Sequence, residues 1–421
     1  MRPPRTRSQS QPAGQRDPFE PLDERAAPPP QSSFSRISSL ALQVLRKASA
    51  EFPADMVLRD ILRQQTGLGR DEAQRVSEKV FAYYRWKNWY PAHAAMEEVL
   101  EQADERDWRF VSQAKDLPVA ELLEKAIPEW AQRHLECKPE WLRTLQRRPA
   151  LWLRTKESTI GLVKATFPDC HAGSLALCPT ALEYAGPEDL FRSALFHEGA
   201  FELQDIASQA VGALCAPQPG ETWWDACAGE GGKLLHLSDL MQNKGLIWAS
   251  DRAEWRLQKL KRRAARAGAF NYRSALWDGG KKLPTKTLFD GVLVDAPCSG
   301  IGTWQRNPHA RWTTTETDVQ ELAEVQLRLL RHVSRGVKPG GKLVYSVCTL
   351  SRAETSEVCM AFEASVPGFE PMPLAGELDL ENPSASQVCI WPQDIGGNGM
   401  FVAAWRRVVG TPVVGTPVAL S

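Results

Sequence analysis

Two thiols and a carboxylate stand where apolar runs give way to polar turns. The stretch Phe289-Asp290-Gly291-Val292-Leu293-Val294-Asp295-Ala296-Pro297-Cys298-Ser299-Gly300 reads as a buried strand, Val292 to Val294, breaking into a turn. A short apolar run closed by Asp, Pro, Ser and Gly marks a strand-to-loop junction. Further along, Pro339-Gly340-Gly341 turns into a second strand, Lys342 to Val347, which ends at Cys348-Thr349. Ligands of open α/β sheets sit just beyond the carboxyl ends of their strands. Cys298, Cys348 and Asp295 in such places suit covalent catalysis, in which a thiolate attacks and a carboxylate binds the substrate or moves a proton. A lone cysteine is often only a small buried apolar group. Cys227 and Cys359 read that way singly, whereas Cys298 and Cys348 taken together do not. These residues alone do not say which of the two thiols attacks.

The elements that must position them alternate between strand and helix from Val211 to Arg407, the pattern of a mostly parallel sheet. The expected strands are Thr222–Asp225, Leu246–Ser250, Val292–Val294, Lys342–Val347 and Met400–Trp405. The first runs into Asp225-Ala226-Cys227-Ala228-Gly229-Glu230-Gly231-Gly232-Lys233, whose glycines allow close approach of a ligand at a helix start. A nicotinamide fingerprint needs glycine where Leu234 stands, and a P-loop needs Ser or Thr there, so both fail. Asp251 ends the next strand about twenty residues on, where an acid accepts ribose hydroxyls. Asp278 follows a further strand end and could take an adenine amino group. A ribose and an adenine without a phosphate cradle point to S-adenosylmethionine.

The chain has 421 residues, 43% of them apolar, enough for two or three globular units. Residues 1–35 are rich in Pro, Arg, Ser and Gln and are expected to be a disordered tail, as is the repetitive end, 409–421. Residues 36–136 carry helical periodicity throughout and predict five or six helices. Residues 137–203 read as a connecting α/β segment whose strand near Trp152 carries Arg154 and Lys156, a candidate phosphate-contacting pair. Residues 204–408 form the strand-and-helix unit. Nine scattered cysteines without ligand spacing argue against a disulfide frame or a zinc site. The formal net charge is +0, so any nucleic-acid surface must be local. With no membrane-length apolar run and no signal-type core, a cytoplasmic protein is expected.

These residues resemble the RsmB/Sun-type RNA (cytosine-5)-methyltransferases. The resemblance rests on Asp225-x-Cys227-Ala-Gly-x-Gly-Gly-Lys233, Asp251, Asp295-Ala-Pro-Cys298-Ser-Gly300 and Tyr345-Ser-x-Cys348-x-Leu350. Gly302 to Pro308, Arg311-Trp312, Gln204-Asp205, Ser208-Gln209 and Trp391-Pro392 extend it, and it spans roughly residues 37–407. Departures are Val347 for the usual Thr, Gly229-Glu230 and Leu234 in the glycine loop, and Lys156-Glu157-Ser158 for an Asn-Thr pair. The resemblance implies an α/β fold: a Rossmann-like class I methyltransferase domain with a mostly parallel seven-stranded sheet. An all-helical NusB-like domain and a small α/β RNA-binding segment would precede it. It implies Cys348 as nucleophile, Cys298 as the thiol that releases the product, Asp295 as the acid holding the cytosine, and Lys233 bridging acid and cofactor. The implied cofactor set is Asp225, Cys227, Ala228, Gly229, Glu230, Gly231, Gly232, Lys233, Asp251, Arg252, Arg256, Asp278 and Asp295. RNA contacts fall to Arg154, Lys156, Arg306 and Arg311. The expected partner is RNA, ribosomal before transfer RNA, with no metal, no membrane and a monomeric state. DNA cytosine methylation and a non-catalytic ribosome-assembly role are the rival readings.

Overall fold

The computed structural model describes residues 35–113, 117–374 and 384–410. Apart from Ser35, Val409 and Gly410, the expected tails lie outside them. The first half is helical: Arg36–Lys47, Ala54–Gln64, Arg70–Trp86, Met96–Gln113, Val119–Lys125, Ala131–His134 and Pro139–Thr144. The first helix has Leu40, Ala41, Val44 and Leu45 on its buried side, and the Ser35 side chain caps its N-terminus. Trp86, in the stretch Tyr83-Tyr84-Arg85-Trp86-Lys87 where bases and aromatics interleave, is core, and its indole N–H donates to Asp107 at 2.9 Å.

An antiparallel sheet follows. Its strands β1 (Leu151–Thr155), β2 (Cys170–Ala172), β3 (Ala181–Tyr184) and β4 (Phe201–Leu203) stand in the order β2-β3-β1-β4. The main sheet is built from β5 (Thr222–Asp225), β6 (Leu246–Asp251), β7 (Tyr272–Leu276), β8 (Phe289–Asp295), β9 (Val337–Val347), β10 (Phe369–Pro371), β11 (Gln387–Ile390) and β12 (Met400–Arg407). Strands β7-β6-β5-β8-β9 are parallel, and β12 closes antiparallel on β9. β10 and β11 pair with successive stretches of β12, so eight strands fill seven positions. The order reverses between β5 and β8, and this switch point is where α/β sheets take ligands.

Alternation along each strand sends side chains to two cores. Trp223, Leu293 and Val344 pack on one face. Trp224, Val292, Val294, Leu343 and Tyr345 pack on the other. Each fully buried aliphatic contributes roughly 1.5–3 kcal/mol. Gly291 makes room for Trp223, because a Cβ there would lie 2.3 Å from the indole ring. One expectation changes: Pro339-Gly340-Gly341 is not a turn ahead of the strand but part of β9. The strand absorbs it through Gly340, at φ +79°, and a register shift against β8. A third cluster joins Leu122, Ile127, Trp141, Leu142 and Leu145 to Ile301, Trp304 and Leu350, just past both cysteines. The helical half therefore rests directly on the loops that carry the thiols.

Candidate active site

β8 and β9 are neighbours, so their ends bring Cys298 and Cys348 together, with Sγ atoms 3.3 Å apart. One thiol can hydrogen-bond the other. Donation from Cys298 lowers the Cys348 pKa against burial and the Asp295 charge, and the Lys233 and Arg306 charges add to the lowering. The same bond, then burial and the charges of Cys348 and Glu354, hold Cys298 well above the ordinary thiol range. The pair therefore favours one thiolate, on Cys348, with the proton on Cys298. The Cys227 thiol is pushed up by burial and by Asp225, so it is a poor nucleophile.

Asp295 ends β8 and accepts from Lys233 Nζ at 2.7 Å and from Ser346 Oγ at 2.9 Å. Burial alone would lower the Lys233 pKa, but the Asp295 charge and hydrogen bond outweigh it and keep the lysine cationic. Lys233 springs from the glycine loop, so one cation links that loop to the thiol site. Asp251 accepts from Gly229 N at 3.0 Å and Ala253 N at 2.8 Å, pinning the loop as well as turning the chain into the next helix. Arg256 stands 3.8 Å from Asp251, and Glu230 is paired with Lys259 at 2.7 Å. Arg252 and Asp278 are exposed, and Asp278 accepts from Gly280 N at 2.8 Å.

Asp225 is the anomaly. It is buried with neither oxygen in a well-formed hydrogen bond among the described residues, and its charge is favoured by Lys233 and, less, by the Leu234 amide. Burial, then the Asp295 and Asp251 charges, push it up to about 8 against the relief from Lys233. A cationic ligand would suit this carboxylate. The space is there, since a Cβ on Gly229 or Gly232 would meet nothing within 4 Å.

The elevated Asp225 pKa has a consequence for stability. The folded state keeps a proton that the unfolded chain releases near pH 4, so this group's contribution is full below that pH and is lost as pH rises toward about 8. Asp225→Asn removes the penalty. Its melting temperature relative to the unsubstituted chain is expected to climb steadily from pH 4 to pH 8, by the equivalent of on the order of 5 kcal/mol. Thermal melts across that range check this, and a pH-independent difference would refute it.

Two expected RNA contacts are corrected. Arg311 is fully buried and donates to the carbonyls of Ala126 at 2.9 Å, Leu145 at 2.7 Å and Trp304 at 3.4 Å. Arg154 is buried between Asp239, its ion-pair partner, and Gln204 Oε1 at 2.7 Å. Neither can reach a phosphate. Lys156 is half-buried and donates to Ala267 O at 2.8 Å. Arg306 alone of the four is exposed, with no hydrogen bond or ion pair among the described residues, yet its charge reaches both Asp205 and Cys348. It lines a cavity of about 100 Å³ with Trp152, Gln204, Asp205 and Asn398. Sequence reasoning missed Glu354, whose buried carboxylate joins the two cysteine loops. Its only signal was an acid placed shortly after the second cysteine. Among the described residues, no group of three or more His, Cys, Asp or Glu could hold a metal, and no helix is long and apolar enough to cross a membrane.

A family model described as 16S rRNA methyltransferase RsmB/F matches residues 212–406. A probable ribosomal RNA small subunit methyltransferase B of Bacillus subtilis is 37% identical over 223 residues, covering 50% of this chain and 49% of that protein. A ribosomal RNA small subunit methyltransferase B of Shewanella oneidensis is 33% identical, covering 58% of this chain and 59% of its own. The chain thus spans about half to three fifths of the length of these curated relatives. Among solved structures, a methyltransferase homolog protein from Pyrococcus horikoshii superposes with TM-score 0.58 at 24% identity, covering 69% of this chain and 99% of that one. NSun6 from Pyrococcus horikoshii, solved with SFG, gives 0.56 at 19% identity over 64% of this chain and 94% of that one. These two structural likenesses speak to the fold alone.

Proposed function

We propose that this chain, whose residues 212–406 match the family model described as 16S rRNA methyltransferase RsmB/F, is a member of that family and transfers a methyl group from S-adenosylmethionine to carbon 5 of a cytosine in RNA, ribosomal RNA foremost. The observation that carries the reading is the 3.3 Å contact between Cys298 and Cys348 at the ends of adjacent strands, beside the Lys233–Asp295 pair. The unpartnered Asp225, the open glycine loop and Asp251 at the next strand end fit a cationic adenosyl donor. When bound, S-adenosylmethionine supplies the methyl group as an electrophilic carbon on sulfonium.

The residues supply the rest. Carbon 5 of cytosine is a poor nucleophile until a thiolate adds to carbon 6, and the Cys348 thiolate makes that bond. Asp295, held by Lys233 and Ser346, accepts from the exocyclic amine of the ring. Once carbon 5 carries its methyl group, Cys298, after losing its own proton to solvent, removes the carbon-5 proton. The electron pair of that C–H bond re-forms the ring double bond, and Cys348 leaves as thiolate. The target nucleotide has to leave its stack to reach these groups. The division into a NusB-like helical unit (36–136), a connecting segment (137–203) and a methyltransferase unit (204–408) belongs to the same proposal. The separate hydrophobic clusters of the first helices and of the small sheet support it.

The experiment is transfer of labelled methyl from S-adenosylmethionine to small-subunit ribosomal RNA, followed by bisulfite mapping of the product. A single protected cytosine supports the reading, and RNA binding without transfer would favour the assembly role. Arg306→Gln is expected to weaken RNA binding and to reduce the slope of log K against log salt by about 1. An unchanged slope in a salt titration would remove Arg306 from the interface.

A further inference from the structure

The loops that carry Cys298 and Cys348 are joined by a buried carboxylate that methyl transfer does not itself require. Glu354 closes a short turn, Arg352–Glu354, and has no exposed surface. Its Oε1 accepts from Ser299 N at 2.8 Å and Gln326 Nε2 at 3.0 Å. Its Oε2 accepts from the Thr349 hydroxyl at 2.9 Å and from the Ser299 hydroxyl. Ser299 adjoins Cys298 and Thr349 adjoins Cys348, so one side chain grips the neighbour of each thiol. Gln326, from the helix Glu316–Val333, also donates to Pro297 O at 2.9 Å and accepts from Tyr345 OH at 2.9 Å, and the same hydroxyl lies 2.6 Å from Glu354 O. A buried charge bonded this fully fixes geometry, because any displacement leaves donors unpaired in a medium of low dielectric.

We propose that Glu354 is a positioning residue for the reaction: it holds the two cysteine loops in thiol contact, and its charge on the Cys298 side keeps the shared proton there, leaving Cys348 as the thiolate. The surroundings are asymmetric in the required sense. Cys348 faces Cys298, Lys233, Arg306 and Asp295, and Asp295 is already paired with Lys233. Cys298 faces Cys348 and Glu354. Glu354 itself meets Ser299, Thr349, Gln326 and, at its carbonyl, Tyr345. Lys233 and Arg306 thus stand with Asp295 around one sulfur, while the Glu354 carboxylate, paired with no cation among the described residues, lies toward the other.

The inference rests on the proposed roles of the two thiols, but its test needs neither RNA nor cofactor. Iodoacetamide labelling of the full chain is followed across a pH series, with Cys298 and Cys348 quantified separately by peptide mass spectrometry. Glu354→Gln removes the charge while its amide still bridges Ser299 and Thr349. The expected result is a Cys348 midpoint raised by about one pH unit, hence about tenfold slower labelling at neutral pH, with labelling redistributed toward Cys298. Unchanged profiles at both cysteines overturn the proposal, whatever happens to methyl transfer. If Glu354→Gln fails to fold, Ser299→Ala with Thr349→Val removes two donors and keeps the carboxylate. A smaller shift in the same direction is then expected, and no shift again overturns the proposal. A normally reactive Cys348 in a chain that methylates no RNA would sink the proposed activity and leave the role of Glu354 standing.

Discussion

Cys348→Ala is expected to abolish methyl transfer, by at least about 10⁴-fold, and to form no adduct with RNA. Cys298→Ala is expected instead to accumulate RNA bound covalently to the protein, resistant to denaturing gel electrophoresis. The two outcomes differ because the thiols act at different steps. Without Cys348 nothing adds to carbon 6, so the ring never becomes reactive. Without Cys298 addition and methylation proceed, but the carbon-5 proton stays and the bond to Cys348 cannot break. Chain order does not dictate this assignment, since either sulfur could attack in principle. The thiol contact and its surroundings separate them: donation from Cys298 favours charge on Cys348, where Lys233 and Arg306 oppose Asp295, whereas Glu354 disfavours charge on Cys298. Adduct with Cys348→Ala and none with Cys298→Ala would exchange the roles.

Arg311→Ala is expected to cost about 3–5 kcal/mol of stability, because each buried acceptor left unpaired costs about 1–3 kcal/mol, with little effect on the salt slope of RNA binding. The guanidinium ties three carbonyls from two parts of the helical half and from the loop after Cys298. Burial and the nearby Arg85 charge push its pKa down to about 9, so it is held at some cost and its removal leaves three acceptors unpaired. Arg306→Gln should behave oppositely, changing the salt slope and leaving the melting temperature nearly untouched. Thermal denaturation and salt titration of both variants check the contrast. A stable Arg311→Ala with a reduced slope would return Arg311 to the RNA surface.

Arg311 also marks where sequence reading runs out. The thiol junctions were legible because a strand end writes itself locally: an apolar run, then Asp-Ala-Pro-Cys or Cys-Thr. The glycine loop and Asp251 were legible for the same reason, each being a turn at a strand end. What Arg154 and Arg311 reach was not, because an arginine beside an active-site motif looks the same whether it faces a phosphate or three carbonyls. Glu354 was invisible as a partner of Ser299, since only the pairing of β8 with β9 brings the two loops side by side. The edge strands β10 and β11 were missed because each is short and takes its shape from β12. Gly340 misled for the opposite reason: a Pro-Gly-Gly run signals a turn, but the main sheet's register absorbs it as a bulge.

The most direct measurement of the central claim is peptide mapping of the adduct trapped by Cys298→Ala on small-subunit ribosomal RNA with S-adenosylmethionine. After protease and nuclease digestion, the account predicts one modified peptide, carrying a 5-methylated pyrimidine nucleotide on Cys348. A nucleotide attached to any other residue, or an unmethylated ring on Cys348 despite bound donor, would contradict it.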